Sequence, residues 1–151
     1  SLNGTCDWVY GEEFALRDGF RWSPDGSKIA YWRLDASGIG EFLMINNTDS
    51  LYSFTIPVQY PKAGTTNSAA SVGIVSAGGG ETVWVQDDHN PREHYPARMD
   101  WAANSDEILI QHLNRPQNPN TVLLANAKTG ATRAVFEDRD DAWLDTADDP
   151  L

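Results

Sequence analysis

The chain has 151 residues, of which 22 are acidic and 11 basic, for a net charge of −11. With 40 % hydrophobic residues and six tryptophans it has the size and content of one folded domain, which excludes a disordered chain. Its acidic balance repels phosphate backbones, so no nucleic acid partner is expected; it attracts a cation or a peptide amino terminus, or else serves simply as a solubilising surface.

In chain order, Asn3-Gly4-Thr5 fits a glycosylation pattern, as Asn46-Asn47-Thr48 does further on; neither has meaning in a bacterial source. Cys6 is the single cysteine, which rules out an internal disulfide and a cysteine-built metal framework. The first residues lack the charged and apolar regions of a signal peptide, and no apolar run approaches the ~18 residues of a membrane span. A targeting segment is therefore expected only outside this chain. Asp7-Trp8-Val9-Tyr10-Gly11-Glu12-Glu13-Phe14 then sets two adjacent carboxylates among aromatic side chains. Residues 11–16 are the one segment read as helical, a turn or two that carries the acidic pair.

Strand signals dominate from there on. The turn residues Ser23-Pro24-Asp25-Gly26 lead into a strand at 29–34, rich in aromatic and branched residues. Further strands are expected at 41–45, 52–58, 71–76, 82–86, 97–101, 108–113, 122–125 and 132–136. Gly78-Gly79-Gly80 supplies the positive φ angles of a tight reversal. A phosphate cradle would need a helix start after it, whereas Glu81-Thr82-Val83-Trp84 continues as strand.

The segment from Phe20 to Tyr31 aligns without a gap with the segment from Met99 to Ile110, matching Trp22 to Trp101, the turn, and the strand behind it. Each is followed by a further strand and turn, Phe42 to Asp49 in the first unit and Val122 to Gly130 in the second. Repeated short antiparallel sheets build β-propellers. The expected fold class is therefore all-β: a partial β-propeller of antiparallel four-stranded blades with a short helical turn near the N-terminus. Residues 1–151 form one partial domain, with a first blade over 18–87, a second over 95–137, and the start of another over 138–151. Residues 71–86 are read as an extra hairpin that an ordinary blade would not need. Two blades cannot close a ring of at least about four. Their exposed edges are expected to pair copies into a homo-oligomer. A sandwich is the alternative architecture.

Paired carboxylates suit an ammonium ligand, because each accepts a charge-assisted hydrogen bond and the cation relieves their mutual repulsion. The alternative role for Glu12 and Glu13 is at a helix start, where carboxylates are favoured. Trp8, Tyr10 and Phe14 are candidates for lining the pocket beside them, or for packing. Asp87-Asp88-His89 with His94 reads as a polar loop, so no metal site is expected there. His112 lies within a strand and reads as a packed or hydrogen-bonded residue rather than a catalytic base. Asp138-Arg139-Asp140-Asp141 and 145–149 lack the spacing of a calcium loop and read as solvated acidic loops.

Several ordered motifs resemble the dipeptidyl peptidase IV branch of the prolyl oligopeptidases, from Asp7 to about Trp143. Asp7 to Phe14 is similar to that family's Asp-Trp-Val-Tyr-Glu-Glu-Glu motif. Trp22-Ser23-Pro24-Asp25-Gly26 with Ile29-Ala30-Tyr31 is similar to the blade signature after it. Tyr60-Pro61-Lys62-Ala63-Gly64 and Leu113-Asn114-Arg115-Pro116-Gln117-Asn118 resemble two more family stretches. Gly11 stands where the family has its first glutamate, and Ser68 where it usually has proline after Asn67.

The resemblance implies a substrate-recognition propeller in which Glu12 and Glu13 bind the free amino terminus of a peptide. The parent would be a serine dipeptidyl aminopeptidase that removes N-terminal X-Pro or X-Ala dipeptides. No Gly-x-Ser-x-Gly elbow occurs in the chain, so no catalytic residue is assigned and the fragment alone is expected to be inactive. The family places its triad in a downstream α/β-hydrolase domain, which is the implied partner of this one. No cofactor is implied, and a periplasmic, secreted or cell-surface setting is favoured. The rival functions are a non-catalytic peptide-binding or scaffold propeller and an unrelated sugar-binding or envelope propeller.

Overall fold

The computed structural model of the chain describes residues 1–146. The end of the expected acidic loops and of the expected third unit, 147–151, lies outside the described residues. The elements in order are β1 (Leu2–Asn3), α1 (Trp8–Glu12), β2 (Phe20–Trp22), β3 (Lys28–Asp35), β4 (Glu41–Asn46) and β5 (Phe54–Gln59). They continue with β6 (Ala69–Ser76), β7 (Val83–Trp84), β8 (His94–Trp101), β9 (Glu107–Asn114), β10 (Pro119–Asn126) and β11 (Thr132–Arg139).

Two antiparallel sheets carry the fold. In the first, β3 pairs with β6 and β6 with β7, while β1 and β2 lie end to end along the other side of β3. The second is the plain meander β8-β9-β10-β11. This is the all-β partial propeller, with one short helix, that the repeat leads one to expect. The repeat is visible in the register itself: Trp22 lies opposite Ile29 in the first sheet, and Trp101 opposite Ile108 in the second.

The extra hairpin is not the one expected. Residues 69–84 supply the third and fourth strands of the first sheet, since β6 pairs along all of β3, from Lys28 opposite Ser76 to Asp35 opposite Ala69. The surplus element is β4-β5, which pairs only with itself. Phe42-Leu43-Met44-Ile45 is an unbroken apolar run with no alternation to seat one face on a core, and all four residues are exposed. β6 has the opposite character: Ala70, Val72, Gly73 and Ile74 are small or branched residues that bury against β3. The Phe42 to Asp49 segment therefore does not correspond to Val122 to Gly130; β6 does.

The two sheets share one core, which runs from Val9, Tyr10 and Phe14 through Trp32, Leu34 and Ile74 to Met99, Ile108 and Ile110. Trp32 is fully buried in it, and its Nε1 donates to the Pro96 carbonyl at 2.6 Å, across the junction between sheets. Trp101 does the reverse, donating from Nε1 to the Arg21 carbonyl at 3.1 Å. Lys28 Nζ donates to the Ser105 carbonyl at 2.7 Å, and the Gln86 amide to that of Gly130 at 2.8 Å. The equivalent Trp22 is 53 % exposed, because its side of β2 meets no further sheet among the described residues.

Candidate functional site

The site is built on α1. Asp7 caps its N-terminus: Oδ1 accepts the Tyr10 amide at 3.0 Å, satisfying one of the orphan donors of the first turn. The helix therefore runs over 8–12, earlier than the helical turn expected at 11–16. The chain leaves it sharply, because Ala15 takes a left-handed φ of 51° and the Leu16 amide turns back to the Tyr10 carbonyl at 2.9 Å. A non-glycine residue in that region costs about 1–2 kcal/mol, so the turn is held by its surroundings.

Those surroundings are specific. The other Asp7 oxygen accepts from the Ser68 hydroxyl at 2.6 Å, which ties α1 to the segment entering β6. Next to it, Asn67 Nδ2 donates to the Tyr95 hydroxyl at 2.6 Å, and Arg92 Nη1 donates to the Asn67 carbonyl at 2.6 Å. Arg115 Nη2 donates to the Thr65 carbonyl, so the two distant motifs around Ala63 and Arg115 meet. Beneath the turn, the Phe14 ring stands edge-on to Tyr95 at 5.2 Å and 5.4 Å from Tyr10. Asp7, Asn67, Ser68, Tyr95, Arg92 and Arg115 were not singled out in the sequence as site residues. Asp7 was the legible one, as an Asp directly before a short helix.

Glu12 is the last residue of α1 and Glu13 its C-cap, and both are exposed. Among the described residues neither carboxylate has a hydrogen-bond or ion-pair partner. This overturns the helix-start role: carboxylates belong at the positive N-terminal end, whereas these two add charge to the negative end. Two like charges and a helix C-terminus on one anchored turn make a focus for a cation.

Of the three aromatic candidates, Tyr10 and Phe14 are buried in the core, 2 % and 4 % exposed, and support the turn from below. Burial, reinforced by the nearby Asp7 charge, pushes the Tyr10 phenol well above its ordinary pKa, so its hydroxyl stays neutral. Trp8 alone lines an open cleft of about 510 Å³, with Phe42, Met44, Tyr60 and Lys62. Its ring meets Tyr60 edge-on at 4.3 Å. Glu12 follows Trp8 by one helical turn and so shares its face of α1.

The chain matches the family model for the dipeptidyl peptidase IV N-terminal region over residues 1–151. A mouse protein named inactive dipeptidyl peptidase 10 is 31 % identical over 147 residues, which cover 95 % of this chain and 18 % of the relative. A probable dipeptidyl peptidase 4 of Neosartorya fischeri is 28 % identical over 154 residues, covering 95 % and 20 %. Among solved structures, dipeptidyl peptidase 4 of Porphyromonas gingivalis superposes with a TM-score of 0.86 at 31 % identity, over 94 % of this chain and 20 % of that one. The chain thus spans about a fifth of the length of the relatives it matches.

Proposed function

Since this chain belongs to the dipeptidyl peptidase IV N-terminal region family, we propose that it forms the part of a propeller that holds a peptide by its free amino terminus. Glu12 and Glu13 supply the clamp. The observation that carries the reading is the unpartnered carboxylate pair on the C-terminal end of a helix that Asp7 and Ser68 fix in place. An α-ammonium group gives each carboxylate a charge-assisted hydrogen bond and cancels their repulsion, whereas an acylated amine gives neither. The preference for a free terminus is about 2–4 kcal/mol if bound peptide excludes water from the pair.

In the whole protein the clamp works as a ruler. It fixes the distance from the amino terminus to the scissile bond, so that an X-Pro or X-Ala dipeptide is released through an acyl-enzyme on a downstream α/β-hydrolase domain. This chain contributes recognition and no catalytic group.

The second reading is a peptide-binding propeller without peptidase activity, favoured by the 31 % identity to a relative named inactive. Hydrolysis of a Gly-Pro chromogenic substrate by the full-length protein separates the two. Release of product from the free amine but not from its N-acetyl form supports the exopeptidase. No release, with peptide binding that still requires the free amine, supports the binding module.

A further inference from the structure

We propose a second site: Asp87, His89 and His112 bind a late first-row divalent cation, zinc above all, in the cleft between the two sheets. The three residues come from two elements. Asp87 and His89 lie on the segment linking the sheets, and His112 is on β9. One ligand atom from each lies within 4.8 Å of the other two. Asp87 Oδ1 is 2.6 Å from His89 Nδ1, and Oδ2 is 2.7 Å from His112 Nε2. The sequence pairs Asp87-Asp88-His89 with His94 by proximity along the chain; folding keeps the His94 ring 4.3 Å from that of His89 and adds His112 as the third potential ligand.

The His112 side chain is 4 % exposed, and its Nε2 faces the Asp87 carboxylate as an ion pair at 2.7 Å. A divalent cation would replace the proton between the two groups, binding the carboxylate and the lone pair of the deprotonated nitrogen. His94 is not a ligand but a brace: its ring stacks on His112 at 4.9 Å and 10°, and its Nδ1 lies 3.3 Å from the Asn90 carbonyl.

The cleft of about 200 Å³ gives a path from solvent, and its apolar walls, Val72, Val85 and Leu123 among them, strengthen binding of a charged ion to a carboxylate. Two imidazoles and one carboxylate, with room for water in the fourth position, form a donor set for zinc or a near neighbour. Calcium and magnesium ask for more oxygen ligands than the site has. Ligand atoms around tetrahedral zinc stand roughly 3.3 Å apart, given bonds of ~2.0 Å. The two histidine nitrogens contact Asp87 at 2.6 and 2.7 Å, so an entering ion has to move these groups apart, and His89, with its side chain 54 % exposed, is free to rotate as it does. The bound ion would pin the inter-sheet segment to β9.

The test uses the full-length protein stripped with a chelator and titrated with Zn²⁺ by calorimetry, then with Co²⁺ followed by visible absorption. His89→Ala changes an exposed side chain and Asp87→Asn keeps the shape of the carboxylate, so both variants retain the fold, verified by circular dichroism. One Zn²⁺ equivalent present in the wild type and weakened at least about tenfold in each variant, with loss of the matching Co²⁺ band and no competition from Mg²⁺ or Ca²⁺, is the expected result. Equal Zn²⁺ binding in all three proteins, or none in the wild type, overturns the proposal.

Discussion

The Ser68 hydroxyl donates to Asp7 Oδ2 at 2.6 Å, joining residues 61 positions apart, while the other Asp7 oxygen caps α1. One carboxylate thus carries both the start of α1 and its attachment to the first sheet. The Ser68 hydroxyl gives this chain a tether that a side chain without a donor could not make.

Removing that tether should loosen the glutamate turn without unfolding the protein. Ser68→Ala is expected to cost about 1 kcal/mol, and Asp7→Ala about 2 kcal/mol because the cap is lost as well. Asp7→Asn keeps a capping oxygen and should cost less than Asp7→Ala. Denaturant midpoints at unchanged slope give the ranking. Equal costs for the two Asp7 variants would show that the cap contributes nothing.

The Trp32 indole fills the junction between sheets and satisfies the Pro96 carbonyl. Trp32→Phe leaves that carbonyl unpaired and opens space in the core, at a cost of about 2–3 kcal/mol. Trp22→Phe, at an exposed position with the same place in the repeat, should cost well under 1 kcal/mol. Thermal unfolding of the two variants side by side checks this.

Gly130 has a φ of 73°, and a Cβ there would stand 2.0 Å from the Trp84 carbonyl oxygen. Gly130→Ala therefore combines left-handed strain with a backbone clash, for a loss of about 2–4 kcal/mol. Hydrogen exchange at the Gln86 amide, which donates to the Gly130 carbonyl, should accelerate in the variant.

Asp25 gives a pH prediction. Its carboxylate accepts from the Ser27 hydroxyl at 2.7 Å, the Ser27 amide at 2.9 Å and the Ser23 hydroxyl at 2.7 Å. The Ser27 side chain is the largest influence holding its carboxyl far below the usual carboxylate range. A depressed value means the stabilisation is complete above the unfolded value of about 3.9 and is lost as pH falls through the folded one. Carboxyl NMR should show Asp25 still ionised at pH 3, and Ser27→Ala should move its titration upward.

How legible the chain was depended on whether a feature was local. The Trp22 and Trp101 units could be aligned because strand, turn and register signals sit within a dozen residues, and both occupy equivalent registers in the sheets. β4 resembles a third blade strand in sequence because Phe42 to Ile45 is as apolar as a core strand, yet β3 pairs with β6, since apolar content does not tell which strand β3 will pair with. The glutamates were visible from a motif, but their place at the C-terminal end of α1 was not. It follows from Asp7 capping the helix earlier than the acidic pair suggested. The links from Ser68, Asn67 and Arg115 were illegible for the same reason: a side chain that reaches across the fold leaves no periodic mark in the sequence.

Glu12 and Glu13 are proposed to bind a peptide amino terminus. The most direct measurement is calorimetric affinity of the full-length protein for one short X-Pro peptide with a free and with an acetylated amine, in the wild type and in Glu12→Gln and Glu13→Gln. The expected result is binding of the free amine at least about thirtyfold tighter than the acetylated form, from the ~2 kcal/mol lower bound of the clamp, and a discrimination that collapses in either variant. Equal affinity for the two peptides, or discrimination that survives both substitutions, would contradict it.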